Sequence, residues 1–276
     1  MLCASVRHFR PLRSLALAMM GLLFTARTWA EPEGTILFHQ DFSHDPTGPY
    51  SLSEVKTDFH NPAWVDGLSD GLADIVDSPD RRDGKSLRVR YPAGRVGAGV
   101  IIPVALPRAF DELYLSYAVY FPDGFSFVKE GKLSGLCGGA CNSGGHRPDG
   151  QDGWSSRIIW RKDRPSQYNY DPDQADIYGD IAPWAGRFTT GSWHTVQMRV
   201  KMNTPGKADG EVESWLDGPP AYRDTHVRWR DRASLAIDSF RFETFFGGGT
   251  ADFAPTTDQY AYFTDITVST RFFGKR

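Results

Sequence analysis

Three observations predict an all-β fold. Apolar and polar residues alternate in short runs from Thr35 almost to the end of the chain. Gly, Pro, Asn and Asp punctuate these runs at regular intervals, and no window carries a long helical stripe. Many evenly spaced strands of this kind favour an antiparallel two-sheet β-jelly roll, a β-sandwich with a concave substrate groove. The chain has 276 residues. One domain is expected over 31–276, a size at which a core forms without disulfide staples.

The N-terminus reads differently. Arg7, Arg10 and Arg13 precede an apolar stretch from Leu15 to Phe24, and Thr28-Trp29-Ala30 offers a cleavage site. The apolar stretch is too short to span a bilayer as a helix. Residues 1–30 are therefore expected to be a signal peptide, the alternative being an uncleaved N-terminal anchor. The mature protein is then secreted or periplasmic, with no stable membrane association. A formal net charge of -3 and the lack of a basic run give no sign of nucleic-acid binding.

Strands are expected at Thr35–Phe42, Ser86–Tyr91, Gly99–Leu106, Glu112–Phe121, Ser155–Arg161 and Gln167–Tyr170. Further runs follow at Trp193–Asn203, Gly210–Leu216, Thr225–Arg230, Ser234–Phe246 and Gln259–Ser269. Val196 to Met202 alternates cleanly, and Ile237, Phe240 and Phe242 are candidate core residues. Asp217-Gly218 marks a turn before Pro219-Pro220, because Gly supplies positive φ and Pro cannot join a central strand. A long polar, glycine-rich stretch separates Leu136 from Trp154, and such a loop in a compact domain usually serves function.

Cys3 leaves with the signal peptide. Cys137 and Cys141 remain in Cys-Gly-Gly-Ala-Cys, and a close pair in an exported protein most simply forms one disulfide. A zinc site has only His146 as a nearby further ligand. No metal or other cofactor is expected, although Asp41 could ligate a structural calcium with loop carbonyls.

The segment from Gly131 to Tyr170 carries the chemistry. Residues two apart on a strand share a face. Trp154, Ser156, Ile158 and Trp160 then suit the core, leaving Ser155 and Arg157 on the other side. Tyr168 and Tyr170 also share a face, and Lys132 lies in a segment that could run beside them. Each alone is equally a solvated charge or sheet packing; together they favour a site. An acidic sugar suits it. A uronate carries a carboxylate at C6 and a weakly acidic proton at C5, and β-elimination removes that proton and expels the oxygen on C4. Arg157 can clamp the carboxylate through two parallel hydrogen bonds, with Lys132 as a point charge. Tyr or Lys can move the proton. His194 reads as a strand-edge residue without a partner. Asp258, Asp265 and Glu243 are scattered carboxylates that make no hydrolase pair.

The run Gly131-Lys132-Leu133 through Gly138-Gly139, the segment Gly153-Trp154-Ser155-Ser156-Arg157-Ile158-Ile159-Trp160-Arg161-Lys162 and Tyr168-Asn169-Tyr170 resemble polysaccharide lyase family 14, the alginate and glucuronan lyases. So do Gly191-Ser192-Trp193-His194, Met202 to Gly206, Trp215-Leu216-Asp217-Gly218, Thr244 to Gly248 and Asp258 to Phe263. The resemblance implies a β-jelly roll and β-elimination of an acidic polysaccharide. It implies catalytic roles for Lys132, Arg157, Tyr168 and Tyr170, with Ser155 binding substrate. The competing reading is a non-catalytic carbohydrate-binding protein on the same fold.

Overall fold

The computed structural model describes residues 34–80 and 84–272. The expected signal peptide and the two ends of the 31–276 domain lie outside them. The described chain forms β1 (Ile36–Gln40), β2 (Gly48–Pro49), α1 (Leu52–Asp58), β3 (Ala73–Asp77), β4 (Lys85–Tyr91), β5 (Gly99–Phe110), β6 (Glu112–Phe121) and β7 (Glu130–Gly139). It continues through β8 (Gly153–Arg161), β9 (Arg164–Tyr170), β10 (Asp180–Pro183), β11 (Ser192–Lys201), β12 (Gly210–Leu216), β13 (Pro220–Val227), β14 (Ile237–Phe246) and β15 (Gln259–Ser269).

These strands build two antiparallel sheets, the jelly roll the alternation predicts. One runs β13-β12-β11-β6-β15-β4-β3-β2, with β1 on the far half of β15. The other runs β10-β9-β8-β7-β14-β5. Every pairing is antiparallel, so each strand can bury one face and leave the other free. The buried faces meet in one aromatic-rich core, in which Trp160 lies within 6.2 Å of Tyr91, Phe121, Phe125 and Phe246, ring centre to ring centre. A fully buried Phe contributes about 1.5–3 kcal/mol relative to leaving it exposed. Val196, Met198, Val200 and Met202 all point inward, as the clean alternation requires. Ile237 and Phe240 share the core despite their odd spacing because the pairing with β5 is irregular between Ile237 and Ser239, the extra residues lying on β5.

Some expectations fail for local reasons. The expected strand Thr225–Arg230 is displaced, and β13 starts at Pro220 instead. Proline is tolerated there because β13 is the sheet's edge. Asp217 (φ 55°) and Gly218 (φ 101°) make the expected tight turn into it. His194 is not partnerless. That turn carries Asp217 to the ring, whose Nδ1 lies 2.8 Å from the carboxylate. Nε2 lies 2.8 Å from the Thr189 amide nitrogen. Asp41 accepts a hydrogen bond from the Ser43 amide. Among the described residues no group of three or more His, Cys, Asp or Glu gathers as metal ligands do.

Candidate active site

The free face of the six-stranded sheet carries the candidate residues. Trp154, Ile158 and Trp160 of β8 are buried in the main core. Ile159 joins Tyr168 and Tyr170 in a separate cluster on the opposite face. Pairing of β8 with β9 sets Arg157 opposite Tyr168 and Ser155 opposite Tyr170. The two phenol oxygens are 3.1 Å apart. Arg157 Cζ stands 5.0 Å from the Tyr168 ring centre and 5.4 Å from that of Tyr170. Lys132 Nζ stands 4.1 Å from the Tyr168 ring centre, a cation–π distance.

Lys132 reaches this face through an irregularity. Its segment is itself a strand, β7, with Lys132 opposite Ile159 and Gly135 opposite Arg157. Three steps along β7 match two along β8, so a bulge at Leu133–Gly135 inserts one residue. Without it, Lys132 and Gly135 would point to opposite faces.

Gly135 also leaves a gap. A Cβ there would lie 2.6 Å from both Cα and Cγ of Arg157. Through this gap the guanidinium crosses β7 to β14, and Nη1 donates to Glu243 Oε1 at 2.7 Å. Both side chains are almost fully buried. The other Glu243 oxygen is 3.6 Å from Arg241 Nη1. Glu243 is thus the centre of the site's electrostatics. Strand parity could have found it, since Phe240, Phe242 and Phe246 are core and Arg241 and Glu243 alternate with them.

The charges are tuned by burial. Desolvation pulls the Lys132 ammonium below its ordinary range, although Glu130, whose Oε1 accepts a 2.5 Å bond from Nζ, opposes this. Burial and the bond to Tyr170 push the Tyr168 phenol well up, with Arg157 pulling the other way. For Arg157, burial disfavours the cation, but Glu243 more than offsets it.

Beneath the site a chain of buried hydrogen bonds ties the sheets together. Ser214 of β12 donates to Gln167 Oε1 at 2.9 Å, Gln167 Nε2 donates to Ser156 Oγ at 2.8 Å, and Ser156 Oγ donates to Asn169 Oδ1 at 2.7 Å. Satisfied buried polar groups of this kind hold β8 and β9 in one register, and with them Arg157 and Tyr168.

The glycine-rich loop folds back over the same face. Cys137 and Cys141 are joined, with Cα atoms 5.1 Å apart. Ser155 is fully buried, and its hydroxyl donates to the Asn142 carbonyl at 2.6 Å, so it anchors this loop. The Gly145 amide donates to Tyr170 Oη at 3.3 Å. Non-reduced protein is expected to show no alkylatable thiol at Cys137 or Cys141 in peptide mass analysis; two free thiols would contradict the bridge. Because the ring spans a sequence separation of only 4, reduction is expected to loosen the loop without unfolding the domain.

Trp64 is a further aromatic outside the expected set. Its segment is tied to β5 where the Asp66 amide donates to the Ile101 carbonyl. The indole is 47 % exposed and lies 6.0 Å from Arg241 Cζ, on the β5 side of the site.

A family model described as polysaccharide lyase 14 matches residues 79–266. Among solved structures, the marine PL-14 alginate lyase from Aplysia kurodai superposes with a TM-score of 0.74 at 26% identity, over 86% of this chain and 100% of that one. Alginate lyase Aly36B gives a TM-score of 0.73 at 26% identity, over 90% of this chain and 100% of that one. The endo-β-1,4-glucuronan lyase from the fungus Trichoderma reesei gives 0.54 at 14% identity, over 86% and 97%, a likeness of fold alone. No curated protein matches the chain. A jelly roll with cations and phenols gathered on its free face, matched in this way, is a polysaccharide lyase. The chain belongs to the polysaccharide lyase 14 family.

Proposed function

We propose that the protein cleaves a polyuronate of the alginate or glucuronan kind by β-elimination. The observation that carries this reading is the convergence of Lys132, Arg157, Tyr168 and Tyr170 on one face, with the ammonium of Lys132 depressed by burial and the phenol of Tyr168 raised. Arg157, held at Nη1 by Glu243, turns its remaining N–H groups to the uronate carboxylate. Neutral Lys132 takes the C5 proton. The electrons form the C4–C5 double bond, and the C4–O bond breaks. A phenol, kept protonated by its raised pKa, gives its proton to the departing oxygen. Positive charge beside the carboxylate stabilises the dianionic intermediate.

The two carboxylates on this face do not serve as a hydrolase pair. Glu243 is engaged by Arg157 and Glu130 by Lys132. The binding-only alternative gains no support from the comparisons. Export to an oxidising compartment fits the joined cysteines. Among the described residues, no helix is long and apolar enough to cross a membrane.

Incubation with alginate and with polyglucuronate is expected to produce the ultraviolet absorbance of unsaturated uronate ends. Tyr168→Phe and Tyr170→Phe remove a proton carrier with little change in volume. The variant lacking the acid is expected to lose about 10²–10⁴-fold in turnover, and the other less. Full activity in both, or wild type that only binds polymer, would defeat the assignment.

A further inference from the structure

The hairpin between β8 and β9 carries a cluster of cations that the elimination step does not use. Arg161, Lys162 and Arg164 project at this tip, and Lys129 stands beside them. Together they border a cavity of about 580 Å³. Phe253, Ile181 and Pro183 supply apolar wall. Glu130 is the one carboxylate in the lining; with Asp252 paired to Lys129 and Asp163 of the same tip paired to Arg187, the lining keeps an excess of positive charge.

The cavity neighbours the active site through Glu130 and Ser166. Glu130 holds Lys132 through Oε1 and lies 3.4 Å from Arg161 Nε through Oε2. Ser166, also in the lining, sits two residues before Tyr168 and so on its face, opposite Ile159 on one side and Pro183 on the other. The cations are unequally committed. Lys129 is paired with Asp252. Arg164 Nε donates to the Trp184 carbonyl. Among the described residues, neither Lys162 nor Arg164 has an ion-pair partner. Both are exposed, so packing does not account for them. Unpaired cations beside apolar plates match a uronic acid, whose ring offers C–H faces and whose C6 carries a carboxylate. A polyuronate repeats that carboxylate on every sugar.

We propose that this cavity is a second uronate subsite, in which the hairpin cations bind the carboxylate of a sugar farther along the same chain from the bond being broken. The inference rests on the polyuronate reading above. It assigns to Lys162 and Arg164 a role in holding polymer and none in proton transfer.

The test is the double variant Lys162→Asn, Arg164→Gln. Asparagine tolerates the left-handed backbone of Lys162, φ 51°. On alginate or polyglucuronate at low salt, KM is expected to rise about three- to tenfold with little change in kcat. The rise is expected to be smaller for the shortest oligosaccharide that is cleaved, and to shrink as added salt screens the charges. Lys207→Glu, on the exposed turn between β11 and β12, serves as the charge control and is expected to change neither constant. An unchanged KM on polymer, a fall in kcat alone, or an equal effect on short and long substrates would overturn the subsite. Should wild type make no unsaturated ends, retardation in gels cast with alginate separates the two ideas. Retardation lost in the double variant keeps the subsite and removes the lyase assignment. No retardation of wild type, or equal retardation of both, removes the subsite.

Discussion

Replacing Lys132 with Met is expected to lower kcat by about 10²–10⁴-fold, the usual contribution of a general base. Methionine fills a similar volume, and Glu130 keeps Arg161 as a neighbour, so the melting temperature is expected to move little. The assignment has a second signature in the pH profile. A lysine base works when neutral, so kcat/KM rises with pH through the Lys132 pKa, which burial sets below the ordinary value of 10.5. Glu130 favours the charged ammonium and therefore raises that pKa. Glu130→Gln removes the opposing charge, so the rising limb is expected to move to lower pH. The falling limb, set by loss of the phenol proton, lies above the ordinary tyrosine range because Tyr168 is raised. A rising limb that stays in place or moves upward in Glu130→Gln would mean that Lys132 is not the titrating base.

The second large effect is expected at Glu243. Glu243→Gln leaves the buried Arg157 guanidinium without its counter-ion and weakens the hold on Arg241. Breaking a buried pair from one side costs about 3–5 kcal/mol, because the remaining charge stays desolvated. Thermal unfolding should report this as a large drop in melting temperature, with turnover falling alongside. Arg157→Lys separates the two consequences. It keeps a cation near Glu243 but loses the planar fork, so turnover is expected to fall about 10²–10³-fold while stability drops less than in Glu243→Gln. The double variant Arg157→Met, Glu243→Gln removes both charges and is expected to regain part of the lost stability with no recovery of turnover. Wild-type stability and turnover in Glu243→Gln would show that the buried pair neither holds the fold nor positions Arg157.

Much of the site was legible from β8 alone. Two tryptophans and an isoleucine alternate there with a serine and an arginine, and a period of two admits one arrangement once the tryptophans are buried. Tyr168 and Tyr170 followed from the same rule. The strand holding Lys132 was not legible as a strand. Gly131, Gly135, Gly138 and Gly139 lower its β propensity, and glycine usually marks an irregularity. The reason for two of them lies across the sheet. A Cβ on Gly131 would collide with the Trp160 ring at 1.9 Å, and one on Gly135 with the Arg157 side chain. Ser155 illustrates the converse. Its face follows from the alternation, but the loop that takes its hydroxyl comes from 13 residues away, and no local pattern predicts that bond.

The sequence by itself determined the all-β class, the core face of each well-alternating strand, the turn at Asp217-Gly218 and the proximity of Cys137 to Cys141. All of these depend on neighbours within a few residues, where periodicity and backbone preference act. Only the tertiary structure decided that Arg157 meets Glu243, 86 residues away and across an intervening strand. It alone placed Lys132 on the free face, through a bulge that shifts parity by one. It alone placed the hairpin cations beside the site, where Glu130 links Lys132 to Arg161. Such contacts depend on strand order and register, which are set by how two sheets close on a shared core.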